Sequence, residues 1–208
     1  MNHLRSKVLY PLLALFLGVS PQIFANASAA TVLLYDFDNA SGSIDLSPEV
    51  VATGLNPQAW TVVSSTLRDF SGNPGKAIAT SSFNNGNRFE LTVLVAAGQI
   101  FELSGFAFDQ LASGSGPSEW FLSIDDEVIA TGNTTSSFEN VLGATPRSLV
   151  GTFTVGLGGT NAGSNLGTLR IDNFALEGSV QPVPLPASIL LLFSACAGLL
   201  ASRRSRHD

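Results

Sequence analysis

Apolar residues recur at every second position through most of residues 30–182, the period of a half-buried strand rather than the 3.6 of a helix. In NRFELTVLV, Phe89, Leu91, Val93 and Val95 share one face, and in QIFELSGFAFD so do Phe101, Leu103 and Gly105. Ala96-Ala97-Gly98 lies between them, and glycine takes a left-handed closing position at least cost. Pairing Val95 with Gln99 sets Val93 opposite Phe101 and Leu91 opposite Leu103, so the spacing predicts a hairpin in the register where the apolar faces coincide. A second hairpin is predicted in EWFLSIDDEVIAT, where Trp120, Leu122 and Ile124 alternate, Asp125-Asp126 turns and Val128–Thr131 returns. Further strands are expected in TVLLYDF, WTVVSST, AIATS, SSFENVL, SLVGTFTV and TLRIDNFALEG, separated by Gly, Asn, Ser and Pro clusters. The glycine-rich stretch Gly156–Gly167 has no following lysine or helix, so it reads as a flexible connection rather than a phosphate cradle. Short strands without helices predict an all-β chain: an antiparallel sandwich, jelly roll in preference to immunoglobulin-like.

The two ends break this pattern. Arg5 and Lys7 precede an apolar run, Val8–Val19, and small residues follow in FANASAA. That is the layout of a secretory signal peptide, with cleavage expected after Ala27, Ala29 or Ala30 by signal peptidase after export by the Sec machinery. The run is too short for a membrane span, and Pro11 and Pro21 interrupt or flank it. At the other end Ile189–Ala201 is apolar or small throughout, about 20 Å as a helix against a hydrocarbon core of about 30 Å. Arg203, Arg204 and Arg206 follow as a basic stop on the cytoplasmic side. A short C-terminal hydrophobic helix serving as a transient membrane anchor is expected. The chain divides into a signal peptide (1–29), a sandwich (30–178) and a linker with a tail (179–208).

Val183-Pro184-Leu185-Pro186-Ala187, followed by the apolar segment and the arginines, resembles the PEP-CTERM class of sorting signal in its VPLPA variant. Leu185 stands where the best-known form has glutamate, and Ser205 interrupts the arginines. The stretch from Leu185 to Ser188 is also similar to an LPxTG signal, but Ser188 and Ile189 replace its threonine and glycine. The first resemblance implies recognition and removal of the tail by an exosortase-type transpeptidase. It also implies a surface or extracellular destination associated with exopolysaccharide. It covers only the last 26 residues.

Composition narrows the chemistry of the exported part. Residues 30–182 hold five basic side chains, Arg68, Lys76, Arg88, Arg147 and Arg170, against fifteen acidic ones. The balance, 5 − 15 = −10, excludes sequence-independent nucleic-acid binding, which needs clustered cations. Both histidines, His3 and His207, and the single cysteine, Cys196, fall in the two addresses. Triad catalysis, His or Cys zinc sites, haem and disulfides are thereby excluded from the exported part, leaving carboxylates, amides, hydroxyls, aromatics or an oxygen-ligated metal. Cys196 reads as a small hydrophobe of the tail.

Three candidate constellations remain. YDFD in the first strand and RIDNF in the last resemble the ends of carbohydrate-binding-module jelly rolls. The resemblance implies a structural calcium held by Asp36 or Asp38 together with Asp172. For saccharide binding, Trp60, Trp120 and Tyr35 are the aromatic candidates and Asn84, Asn85 and Asn87 the amides; Trp60, at a strand start, is the freer of the two tryptophans, but burial is expected of both. In the predicted hairpin, Glu90 and Glu102 become diagonal neighbours about 7–8 Å apart, the arrangement a glycoside hydrolase or lyase would need. The expectation is nevertheless of a non-catalytic, polysaccharide-associated surface protein, with the carboxylate enzyme as the alternative.

Overall fold

The computed structural model describes residues 30–39 and 41–184. The expected C-terminal helix, Leu185-Pro186-Ala187, Cys196 and the arginines lie outside the described residues, as do the signal-peptide residues 1–29. Thirteen strands follow one another: β1 (Ala30–Tyr35), β2 (Val50–Val51), β3 (Leu55–Pro57), β4 (Thr61–Val62), β5 (Arg68–Ser71), β6 (Lys76–Thr80), β7 (Arg88–Val95), β8 (Gln99–Ala112), β9 (Glu119–Ile124), β10 (Glu127–Asn133), β11 (Glu139–Leu149), β12 (Thr152–Thr160) and β13 (Leu169–Pro182). The only helical turn among the described residues is a 3₁₀ turn, Phe83–Asn85.

All described pairings are antiparallel, and they form two sheets. One sheet, here sheet A, runs β11-β8-β13-β1-β2, with β6 and β5 also joined through β13. The other, sheet B, runs β10-β9-β12-β7-β3, with β4 also on β7. Their inner faces enclose one apolar cluster that includes Leu33, Phe89, Leu91, Phe101, Phe108, Leu122, Phe153, Leu157, Ile171 and Phe174. The protein is a β-sandwich of jelly-roll type, as the period-two pattern predicts.

The second predicted hairpin is present: β9 and β10 pair through Glu127↔Ile124, and Asp125 and Asp126 take φ of 49° and 66°, as a two-residue turn of type I′ requires. The first is not. β7 pairs with β12, β3 and β4, whereas β8 pairs with β11 and β13, so Ala96–Gly98 carries the chain from one sheet to the other. Parity could not separate these outcomes. Two strands that send Leu91, Val93, Phe101 and Leu103 into one core show the same alternation whether they lie side by side or face each other. Three residues suffice to cross sheets stacked about 10 Å apart.

Two breaks also differ from the sequence reading. SLVGTFTV is split, because Gly151 at φ 66° turns the chain between β11 in sheet A and β12 in sheet B. The last strand does not stop at residue 178: β8 bulges at Ser104 opposite Gly178, and Ser179–Pro182 continue pairing with Gln99–Glu102. Residues 179–182, read as linker, are sandwich.

Candidate saccharide-contacting face

The expected site residues are placed in three separate surroundings. Trp60 is 2% exposed and packs edge-on against Phe174 at 4.9 Å, Tyr35 at 5.9 Å and Phe37 at 6.2 Å. Tyr35 is fully buried, its hydroxyl donates to the Gln58 carbonyl at 3.0 Å, and burial pushes its pKa above the ordinary phenol value. Trp120 is 6% exposed beneath Phe106 and Phe108. No indole face is offered to a ligand: the rings fill the volume between the sheets. Asn84 and Asn85 are exposed on the 3₁₀ turn at one end of the sandwich, where Asn84 Nδ2 donates to the Ala162 carbonyl at 3.0 Å. Asn87 is buried and spent on structure, its amide reaching Thr80 Oγ1, the Ser81 carbonyl and the Ser64 amide. Trp60 and the two exposed asparagines do not form one site.

The acidic residues grip a loop. Asp172 is fully buried; its Oδ2 accepts from Asn73 N at 2.5 Å and its Oδ1 from Asn173 N at 2.8 Å. Asp38 Oδ1 accepts from Lys76 N at 2.6 Å, and Asp36 Oδ1 from Asp38 N at 3.1 Å. Asp109 accepts from Asn140 Nδ2 at 2.7 Å and Asn173 Nδ2 at 2.9 Å. Asp38 and Asp172 thus clasp the β5–β6 loop to the end of β1 and the middle of β13. Gly75, at φ 80°, is demanded there because a side chain would run into the Asp38 carboxylate. Burial, with Asp38 and Asp109 nearby, pushes the Asp172 pKa up to about 6.

Of the three carboxylates expected to hold calcium, Asp36 and Asp38 line one hollow together with Glu49, while Asp172 is buried beside the β5–β6 loop. Among the described residues no three His, Cys, Asp or Glu side chains are grouped to hold a metal ion, and both Asp172 oxygens already serve backbone amides. Resident calcium would stabilise the fold by mass action. Differential scanning calorimetry in millimolar calcium and in excess chelator tests the expected ion: a melting temperature raised by calcium and lowered by chelator supports it, and an unchanged one removes it.

The predicted carboxylate pair is also separated. Glu90 and Glu102 point away from each other on the outer faces of sheets B and A. Glu90 accepts from Arg88 Nε at 2.9 Å and Arg88 Nη2 at 2.7 Å, while Glu102 accepts from Ser148 Oγ at 2.6 Å. With the core between them they cannot act on one glycosidic bond.

A surface that the sequence reading passed over lies on the outer face of sheet B. β12 sends Phe153, Val155 and Leu157 inward and presents Gly156 and Gly158 outward, so the first part of the supposed glycine-rich loop is a strand. Neighbouring side chains lie across this bare lane. A methyl at Gly158 would fall 2.5 Å from the Phe121 ring and 3.1 Å from Arg88 Cβ. At Gly156 it would meet Ser123 Oγ at 2.5 Å and Arg88 Cδ at 3.3 Å. Phe121, half-buried on β9, therefore brings the end of its ring over Gly158. Arg88 stretches from β7 across the lane and donates to Asp126 Oδ1 at 2.7 Å as well as to Glu90. Arg88, Glu90, Thr92, Asp125, Asp126 and Thr154 line a hollow of about 270 Å³ beside it. An aromatic ring, a planar cation held by two carboxylates and two threonine hydroxyls on rigid strands form a set able to stack on and hydrogen-bond a polyol. The available signal was the alternation running on through Val155 and Leu157 with glycine in the outward places.

No family model and no curated protein matches the sequence. Among solved structures the chain is similar to the CBM22-1-CBM22-2 tandem domain of Xyn10C from Paenibacillus barcinonensis, with 12% identity and a TM-score of 0.50, covering 78% of this chain and 48% of that one. The chain thus spans about half the length of that tandem. It is also similar to a CBM36 module in complex with calcium and xylotriose (11% identity, TM-score 0.43, 56% and 92% covered) and to a family 29 carbohydrate-binding module complexed with mannohexaose (11% identity, TM-score 0.42, 73% and 93% covered). The first likeness, a sandwich shared at low identity, is one of fold alone.

Proposed function

We propose that the protein is exported, sorted by its C-terminal tail, and associates with extracellular polysaccharide without cleaving it. The observation that carries the binding half is the glycine lane of β12, which leaves room for Phe121 and Arg88 beside Glu90, Asp126, Thr92 and Thr154. The fold shared with a CBM22 tandem supports the same reading at the level of architecture. The export half rests on the signal peptide, the VPLPA-like motif and the basic stop, which imply Sec export, signal peptidase and an exosortase-type transpeptidase as partners, with a surface or extracellular destination. One cation, Arg88, is shared between Glu90 and Asp126, and with Asp125 adjacent the hollow keeps an excess of negative charge. Neutral hydroxyl-bearing chains suit this surface better than uronates, which would meet surplus carboxylates.

Affinity electrophoresis of the purified protein in gels containing neutral soluble polysaccharides tests the binding. Retardation is expected with at least one neutral glycan. Phe121→Ala should weaken it about 5- to 10-fold, by loss of stacking worth on the order of 1 kcal/mol. Arg88→Ala should weaken it comparably and leave Glu90 and Asp126 unneutralised. Absence of any shift, or release of reducing ends from the polysaccharide, would contradict the proposal.

A further inference from the structure

β1 begins and β13 ends toward the same end of the sandwich, because Ala30 pairs with Gly178 in antiparallel register and β13 runs on from there to Pro182. At that end Pro182 pairs with Gln99, and Val183 N donates to the Gly98 carbonyl at 2.9 Å. The neighbouring loops are Ala52-Thr53-Gly54, Ala96-Ala97-Gly98 and Val150-Gly151, with Ala96 N bonded to the Gly54 carbonyl and Val95 N to that of Gly151. None of these residues is charged, and Leu94, Val150 and Val183 are 42%, 61% and 45% exposed.

The opposite end has a different chemistry. It is built from residues 81–87, 113–118, 134–138 and 161–168, where serine, threonine, asparagine and glycine predominate. These loops are tied together by Ser82 N to the Asn165 carbonyl, Thr134 N to the Ser118 carbonyl and Ser113 N to the Thr168 carbonyl.

We propose that the Ala/Val/Gly end of the sandwich rests against the lipid bilayer while the apolar segments are inserted, and that the Ser/Asn/Gly end faces away. The inference rests on the export-and-sorting half of the proposed function and adds an orientation and a contact surface to it. The length of the connection decides the distance. From Val183, fixed by its bond to Gly98, to Ile189 at the start of the apolar run is six residues, at most about 20 Å of extended chain. The fourteen residues of β13 span about 45 Å, so the opposite end stands well beyond the headgroups when the strand is steeply inclined to the membrane. Exposed Val150, Leu94 and Val183 lose unfavourable contact with water at a lipid interface, while the acidic β9–β10 turn, Asp125-Asp126-Glu127, lies toward the same end but is set back to the level of Thr154.

The test uses the full chain with Cys196→Ser in phosphatidylcholine vesicles, carrying an environment-sensitive fluorophore at Val150→Cys or at Leu166→Cys. Both positions are exposed, Leu166 at 84%, so the labels leave the core intact. Spin-labelled lipid should quench the label at 150 several-fold more than the label at 166. Equal quenching, or stronger quenching at 166, overturns the orientation while leaving the export reading standing. Failure of the chain to float with the vesicles overturns both. Cross-linking between labels at position 150 without lipid quenching overturns the proposal in favour of a second copy covering that end.

Discussion

Trp60→Ala should lower the free energy of unfolding by about 3–5 kcal/mol, a loss typical of a large aromatic removed from a core. Trp60 lies at the junction of β1, β13 and β4, with Tyr35, Phe37 and Phe174 all stacked against it edge-on. Each of the four rings is at most 2% exposed, so the vacated space has little freedom to collapse. Trp60→Phe should cost far less. It keeps most of the ring contacts and removes an indole Nε1 that is buried without an acceptor. Urea unfolding of the two variants distinguishes the structural role from a binding role. A Trp60→Ala protein of native stability that has lost its polysaccharide would place Trp60 in the site instead.

Asp172 should make the protein more stable at mildly acidic pH than at neutrality. Its folded-state value of about 6 lies above an unfolded value of about 3.9, so the folded chain holds the proton more tightly between those limits. The sign follows directly: stability falls as pH rises through this window and levels off above pH 6. The full difference is about 3 kcal/mol, since each unit is worth about 1.4 kcal/mol. The cause is local. A fully buried carboxylate receives one loop amide, that of Asn73, and the amide of its β13 neighbour Asn173, but has Asp38 and Asp109 nearby and no salt-bridge partner among the described residues. Asp45 and Glu127 work in the opposite direction, held below their ordinary values by the hydrogen bond from the Ser47 amide and by Arg147, so their stabilisation is lost at lower pH. Unfolding should therefore be compared between about pH 4.5 and 7, on the acidic limb above the reference Asp and Glu values. Asp172→Asn keeps one acceptor and turns an amide donor against the other backbone N–H, so it should be less stable at pH 5. Its pH slope in that window should nevertheless vanish. Equal slopes in the two proteins would remove Asp172 as the cause.

The sandwich was legible because its strands repeat one rule. Alternation in β7, β8, β9 and β13 requires two inner faces, and Asp125-Asp126 could turn nowhere but between β9 and β10. Sheet membership was not legible. The Ala96–Gly98 connection closes a hairpin or spans two sheets equally well by parity, and only the competing partners β12 and β13 decide. The same ambiguity misplaced Glu90 and Glu102, whose proximity existed only within the hairpin. The candidate face was hidden for a second reason. Gly156 and Gly158 signal a loop in composition, yet a strand with glycine outward is what leaves room for Phe121 and Arg88. Trp60 sits in the core, as its size favours, although its place just before the short β4 made it the freer of the two tryptophans in sequence. Glycine was ambiguous again at Gly178, which faces a bulge in β8 rather than ending the strand.

The intact mass of the mature protein from its native host, taken from membrane and secreted fractions, tests the central claim most directly. The account predicts loss of both ends: an N-terminus after Ala27, Ala29 or Ala30 and a C-terminus within Val183–Ala187, leaving the thirteen-strand sandwich whole. A mature chain that still carries Arg203, Arg204 and Arg206 would contradict tail processing and make this a permanently tethered protein.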